Sequence, residues 1–572
     1  MPEQHSTDDA PDARVALAEA WLAQDPDPET REELSGILDA VRAGDGAAAA
    51  ELADRFDSRL AFGTAGLRGE IAAGPNRMNR VLVSQAAAGL AAYLLEQAAP
   101  GETPSVVIGY DGRKNSAVFA RDSAEIMSGA GVRAVLLPRL LPTPVTAFAV
   151  RHLGLSAGVM VTASHNPPND NGYKVYLGGE HGGSQIVSPA DADIAAHILR
   201  VAETALVPAL PRGPYETADE SVVNAYVAAT AQAAGGAPAA QPKVVYTAMH
   251  GVGWETTAKV LAAAGFDRPA LVAAQIEPDP AFPTVAFPNP EEQGAMDLAF
   301  ATARETGAEL IVANDPDADR LAVAIPDETA AEGYRRLTGN EVGLLLGWQA
   351  AERAIAAATG DGGPEGTLAC SIVSSPGLET VARHHGLEFR ATLTGFKWIS
   401  RAPHLVFGFE EALGYLVNPG TVRDKDGISA AVAFLALAAE LKAAGRTVAD
   451  HLDDFVERFG CFASAQVSIR VTDLARIGEV MARLRANPPA EVGGIRVERI
   501  EDLAEGGELP PSDVLRIVLA GGGRVMVRPS GTEPKLKVYI DAVSDEGTVA
   551  ERRAAATAAA AALEAGMREL VA

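Results

Sequence analysis

The chain has 572 residues, 48% of them apolar, and a formal net charge of −27. At about 150 residues per domain this length suggests roughly four domains, and the acidic balance argues against nucleic acid or an anionic membrane as partner. Two cysteines, Cys370 and Cys461, stand far apart with no metal-ligand spacing, so a reducing cytoplasm is the expected compartment.

In chain order, residues 1–50 read as an acidic, helix-like segment without a signal-peptide pattern, a docking or capping extension. From there strand-like runs alternate with helical ones. Residues 106–110 predict a strand leading into Asp111-Gly112-Arg113, residues 116–129 a helix, residues 132–137 a strand, and Leu141-Pro142-Thr143-Pro144 a turn. Residues 243–247, 310–313 and 367–373 repeat a strand followed by a polar or glycine-rich loop. This is an α/β pattern, whose ligands gather at the carboxyl ends of strands. After about residue 450 the signals become antiparallel, with strands at 466–471 and 514–519, a Gly521-Gly522-Gly523 turn, two more strands and a closing Ala-rich helix. The longest apolar stretches, 429–439 and 554–563, fall short of the about 20 residues that cross a bilayer.

Four loops carry chemistry. The first, Thr162-Ala163-Ser164-His165-Asn166-Pro167, closes the apolar run 158–161 and opens a turn rich in Pro, Asn and Gly that is expected to end at Lys174. A serine at a strand end, with an imidazole beside it and an ammonium within reach, can hold a covalent phosphate. The second, Asn314-Asp315-Pro316-Asp317-Ala318-Asp319-Arg320, places three alternating carboxylates between two apolar runs. Such carboxylates repel one another, and a hard divalent cation, most naturally Mg2+, neutralises them. A helix-loop-helix calcium loop is excluded: counting from Asp315, its glycine and glutamate positions hold Arg320 and Pro326.

The third is Gly408-Phe409-Glu410-Glu411-Ala412-Leu413-Gly414-Tyr415, whose paired carboxylates suit sugar hydroxyls. In the fourth, Arg528-Pro529-Ser530-Gly531-Thr532-Glu533-Pro534-Lys535, side-chain donors and converging backbone N–H groups make a cradle for phosphate. A net-negative enzyme that handles anions needs local positive charge, and Arg68, Lys174, Arg320, Lys397, Arg528 and Lys535 sit in or beside these motifs.

In this order the four segments resemble the phosphoserine, metal, sugar and phosphate loops of the alpha-D-phosphohexomutases, which include phosphoglucomutases and phosphomannomutases. The resemblance runs from about Leu60 to the C-terminus. Phe62-Gly63-Thr64-Ala65-Gly66-Leu67-Arg68-Gly69, His250-Gly251-Val252-Gly253, Phe282-Pro283-Thr284-Val285 with Pro288-Asn289-Pro290-Glu291, and Thr392-Leu393-Thr394-Gly395-Phe396-Lys397-Trp398 resemble the branch holding bacterial phospho-sugar mutases and the animal phosphoglucomutase with phosphopentomutase activity.

The resemblance implies three similar mixed α/β domains and a smaller C-terminal α+β domain around a central cleft, with boundaries expected at 51–215, 216–325, 326–450 and 451–572. It implies interconversion of a sugar 1-phosphate and 6-phosphate through phosphorylated Ser164 and a sugar 1,6-bisphosphate. Mg2+ would be held by Asp315, Asp317, Asp319 and the phosphoryl group on Ser164. Lys174 or His165 would act as general base, and Arg68 and Arg320 would steady the phosphoryl group. Thr394, Gly395, Lys397, Glu410, Glu411, Arg528, Ser530, Gly531 and Thr532 would bind substrate. Glucose is the expected sugar. Mannose is lowered by the doubled glutamate, and a pentose, a phosphatase and a non-catalytic sugar-phosphate sensor are the other readings. Partners are sugar phosphates alone, and the chain is a monomer or a homodimer.

Overall fold

The computed structural model describes residues 9–358, 365–471, 475–529 and 535–571. Three helices, Asp9–Gln24, Pro28–Arg42 and Gly46–Phe56, come first. Trp21, Leu34, Leu38, Leu52 and Phe56 form a small core there that also takes in Ala73, Val81 and Val207. This segment therefore caps the first sheet unit, and its third helix runs past residue 50.

Four sheets follow. In the first the strand order is Leu67–Glu70, Asp170–Leu177, Ala157–Val161, Ser105–Tyr110, Arg133–Leu136, Glu216–Thr217, with Ser184–Gln185 paired beside Asp170–Leu177. The second runs Tyr334–Arg336, Leu321–Pro326, Leu310–Asn314, Val244–Thr247, Ala270–Leu271. The third runs Glu388–Thr392, Thr367–Ser371, Leu405–Glu410, Gly414–Leu416. Strands Ala157–Val161, Leu310–Asn314 and Thr367–Ser371 are buried at every residue, as parallel strands covered on both faces must be, which is why they read as unbroken apolar runs. The fourth sheet, Cys461–Arg470, Lys535–Ser544, Arg524–Pro529, Leu515–Leu519, Ile495–Asp502, Glu491–Val492, is antiparallel throughout.

One feature recurs in all four units. In each of the first three, a strand with a parallel neighbour turns back into an antiparallel partner: Met160 pairs with Lys174, Asn314 with Leu321, and Glu410 with Gly414. The serine, acidic and glutamate loops are the three connections. The fourth loop likewise joins the antiparallel strands Arg524–Pro529 and Lys535–Ser544, and its residues 530–534 lie outside the described residues.

The apolar helix Gly427–Ala443 is buried along nearly its whole length and shares one core with residues of the first three units, from Val107 to Phe459. Its first residue abuts the acidic loop: a Cβ on Gly427 would lie 2.2 Å from the carbonyl oxygen of Arg320, so only glycine fits. Among the described residues no single helix is long and apolar enough to cross a membrane.

Two local expectations change. The serine turn ends earlier than expected, because a strand begins at Asp170 and Lys174 sits inside it with its side chain buried. Leu141-Pro142-Thr143-Pro144 is a helix start, with Thr143–His152 helical and a proline in the first turn where its missing N–H costs nothing.

Candidate active site

Ser164 is 2% exposed and holds a left-handed backbone, φ 51°. Its N–H donates to Thr162 Oγ1 at 2.9 Å, and its Oγ donates to Asp315 Oδ2 at 2.7 Å and lies 3.2 Å from His165 Nδ1. The serine loop of one unit thus touches the acidic loop of the next.

Asp315, Asp317 and Asp319 are fully buried, and one carboxylate oxygen from each lies within 4.8 Å of the others. The surrounding cations explain how they are tolerated. Lys174 Nζ spans Asp317 Oδ2 and Asp319 Oδ2, each at 2.8 Å. Lys425 Nζ lies 2.9 Å from Asp319 Oδ2, and Thr143 Oγ1 donates to Asp317 Oδ2 at 2.6 Å. Burial raises the Asp315 carboxyl well above its ordinary range, and the charges of Asp317 and Asp319 add to this. Burial opposes ionisation of Asp317 too, but the Lys174 ammonium and hydrogen bonds from its neighbours outweigh it and hold that carboxyl well below the ordinary range. The Oδ1 atoms of Asp317 and Asp319 remain buried without a hydrogen-bond partner. Two orphaned oxygens in an all-oxygen cluster fit a hard divalent cation.

Burial, then the charges of Arg320 and Arg68, hold the His165 imidazole well below its ordinary value. Arg68 Nη1 donates to Asn166 Oδ1 at 3.1 Å and so joins the serine loop from the side. Arg320 bridges the acidic and glutamate loops: its N–H donates to Asp315 Oδ1 at 2.9 Å, its side chain donates to the carbonyl oxygen of Ala412, and Nη2 lies 3.8 Å from Glu410 Oε1.

The two glutamates are not equivalent. Glu410 faces Arg320, whereas the Glu411 carboxylate accepts from Ser374 Oγ at 2.9 Å and Ser371 Oγ at 3.2 Å, behind the loop. Successive residues leaving a strand point to opposite faces, so the two carboxylates expected to act as a pair diverge, Glu410 toward Arg320 and Glu411 toward Ser371 and Ser374. Further out, Arg528 Nη1 donates to Thr394 Oγ1 at 2.8 Å, Gly395 takes φ 105°, and Lys397 Nζ donates to Thr64 Oγ1, which ties the third unit to the first. Burial is the main cause that lowers Lys397 from its ordinary value. Ser530, Gly531 and Thr532 lie outside the described residues.

Three participants escaped the sequence reading. Lys425 and Thr143 brace the triad, and Arg113 lies under the serine loop, where its guanidinium donates to four backbone carbonyls.

Family models describe the whole arrangement. Phosphoglucomutase/phosphomannomutase alpha/beta/alpha domains I, II and III match residues 59–205, 224–328 and 338–459, and the C-terminal domain of the same family matches residues 467–559. The chain belongs to the phosphoglucomutase/phosphomannomutase family. It is a phospho-sugar mutase, an intramolecular phosphotransferase of the alpha-D-phosphohexomutase superfamily.

The chain is 56% identical over 476 residues to a Haemophilus influenzae protein named "Probable phosphomannomutase", covering 83% of this chain and 95% of the relative. It is 35% identical to "Phosphopentomutase" of Mus musculus over 580 residues, 94% of this chain and 91% of the relative. With "Phosphoglucomutase" of Staphylococcus epidermidis it shares 35% over 524 residues, 86% of this chain and 93% of the relative. Among solved structures, a phosphoglucomutase/phosphomannomutase family protein from Burkholderia thailandensis shares the fold with TM-score 0.68 at 19% identity, covering 90% of this chain and 97% of that one.

Proposed function

We propose that the chain interconverts the 1- and 6-phosphates of a hexose, accepting mannose as well as glucose, with Ser164 as the phosphoryl carrier. The observation that carries this reading is the buried Ser164 Oγ hydrogen-bonded at 2.7 Å to Asp315 in a triad braced by Lys174 and Lys425. Asp315, Asp317 and Asp319, with a phosphoryl oxygen on Ser164, would hold Mg2+, and the ion when bound would supply a fixed positive charge against the transferring group.

The chain's own residues do the rest. The sugar hydroxyl oxygen bonds to phosphorus as the bond from phosphorus to Ser164 Oγ breaks, and its proton passes to His165, whose Nδ1 lies 3.2 Å from that Oγ. Lys174, the other candidate base, spans two carboxylates and acts here as a strut for the triad. Arg68, from strand Leu67–Glu70 beside the serine loop, and Arg320, from the acidic loop, would steady the phosphoryl group. Glu410 accepts a pair of ring hydroxyls, and Thr394, Gly395, Lys397, Arg528, Ser530, Gly531 and Thr532 take the substrate's own phosphate. The sugar 1,6-bisphosphate formed then reverses its orientation and returns its other phosphate to Ser164.

Mannose enters on two supports. With Glu411 turned to Ser371 and Ser374, a single glutamate reads the sugar, and the relative that shares 56% identity carries a phosphomannomutase name. Glutamate bridging two hydroxyls need not contact the 2-position where the two hexoses differ.

The test is twofold. Ser164→Ala should abolish both turnover and incorporation of phosphate from a sugar bisphosphate; label retained at wild-type stoichiometry refutes the carrier. On magnesium-loaded enzyme, kcat/KM for glucose 1-phosphate and mannose 1-phosphate should agree within about tenfold and exceed that for ribose 1-phosphate. A preference for the pentose would overturn the hexose reading.

A further inference from the structure

We infer that Arg113 is a positioning residue for phosphoryl transfer, which sets the backbone of the serine loop and through it the place of Ser164 Oγ. The inference rests on Ser164 being the phosphoryl carrier. Arg113 lies in the loop after strand Ser105–Tyr110 and is 4% exposed. Its Nη2 donates to the carbonyl oxygens of Ser164 and Asn166, both at 2.6 Å, and its Nη1 to those of Pro167 and Asp170 at 2.8 and 3.1 Å. One guanidinium therefore satisfies four backbone acceptors that the loop turns inward.

The guanidinium is itself anchored. Asp111 Oδ2 lies 3.7 Å from Arg113 Nε, and Asp111 Oδ1 accepts from the Arg113 N–H at 3.0 Å and from Ser116 Oγ at 2.6 Å. From the second unit, the Phe282 ring covers the guanidinium carbon at 4.9 Å. Phe282 opens the Phe-Pro-Thr-Val segment, which none of the catalytic roles uses.

The loop needs such a clamp. Ser164 adopts φ 51°, a conformation that costs a non-glycine residue free energy and persists where surrounding contacts determine it. Carbonyls gathered in the interior without donors would favour another backbone path. Arginine meets this need as lysine cannot, because its planar fork presents five N–H groups in fixed directions. The side-chain hydrogen bonds of Arg113 go to the serine loop, whereas Glu410 faces Arg320 and Arg528 pairs with Thr394, so loosening Arg113 should misplace the reacting oxygen and leave sugar recognition intact. Misplacement by about 1 Å costs on the order of 10²-fold in rate.

The full-length enzyme would be compared with Arg113→Ala, Arg113→Lys and Phe282→Leu, using glucose 1-phosphate with glucose 1,6-bisphosphate. Arg113→Ala should lose about 100-fold in kcat with KM changed less than about threefold, and added guanidinium should restore part of the rate. Arg113→Lys should lose a smaller but clear fraction, and Phe282→Leu about threefold to tenfold, which keeps the inference testable if the alanine variant does not fold. Wild-type kcat in both milder variants, or a raised KM at unchanged kcat, would overturn it. Label from the bisphosphate on a residue other than Ser164 in the wild-type enzyme would overturn the carrier and the clamp together, whereas label on Ser164 with no kcat effect refutes the clamp alone.

Discussion

The two ends of the site are built differently. At the end where phosphate would change hands, two of the three buried carboxylates, Asp317 and Asp319, meet Lys174 and Lys425 in ion pairs of 2.8–2.9 Å, and Ser164 reaches the third, Asp315, across a domain boundary. At the end where the sugar phosphate would be read, contacts among the described residues include Arg528 on the Thr394 hydroxyl and Lys397 on the Thr64 hydroxyl, with Glu410 3.8 Å from Arg320. The chemical end is preorganised, because charge there must be balanced before any ligand arrives. Arg528 and Lys397 at the other end rest on hydroxyls, neighbours that an incoming phosphate can replace.

The contrast breaks most directly at Asp317. Asp317→Asn removes one partner of Lys174 and one carboxylate of the triad, so kcat should fall by about 10³ or more, matching the several kcal/mol that a metal site and a broken buried pair involve. The response of residual activity to added Mg2+ should flatten. Near-normal turnover with an unchanged metal response would place the cation elsewhere.

The glutamate pair sharpens the contrast from the other end. Glu410→Gln should lower kcat/KM by about 10- to 100-fold, the range of one charged hydrogen bond of about 1.5–3 kcal/mol, with an unchanged thermal midpoint. Glu411→Ala removes the carboxylate that accepts from Ser371 and Ser374, leaving those hydroxyls to each other at 2.8 Å, and should cost about 1–3 kcal/mol of stability, with a smaller effect on kcat/KM. A kinetic defect larger at Glu411 than at Glu410 would reverse the assignment.

These residues also show where the sequence was legible. Asp315, Asp317 and Asp319 announce themselves because three carboxylates at alternate positions in one short loop repel one another unless something neutralises them, and Ser164-His165 because it follows a strand whose apolar run is unbroken. The recurrence of antiparallel returns after Val161, Asn314, Glu410 and Pro529 is written only in pairing, so it appears when the strands are assembled. Arg113, Thr143 and Lys425 were opaque because their partners lie about fifty to nearly two hundred residues away and their local context is that of ordinary loops and helix starts. Glu411 misled because adjacency in sequence does not tell which of two neighbours faces the cleft.

The support of the chemical end shows in stability rather than in turnover. Asp426 is buried one residue after Lys425, caps helix Gly427–Ala443 by accepting from the N–H groups of Ile428 and Ser429, both at 3.0 Å, and accepts from the Tyr226 hydroxyl. Burial pushes its carboxyl up from 3.8 to about 6, against the pull of those hydrogen bonds. The folded chain thus binds this proton more tightly than the unfolded chain, so the stabilising contribution is fully present below about 3.8 and is lost as pH rises through about 6. Two units correspond to on the order of 2–3 kcal/mol. Asp426→Asn keeps the capping oxygen and removes the titration, so its stability should decline less than that of the wild type between pH 4 and 7. Thermal midpoints with the same pH slope in both proteins would show that the Asp426 charge is accommodated by the helix terminus and Tyr226 without cost.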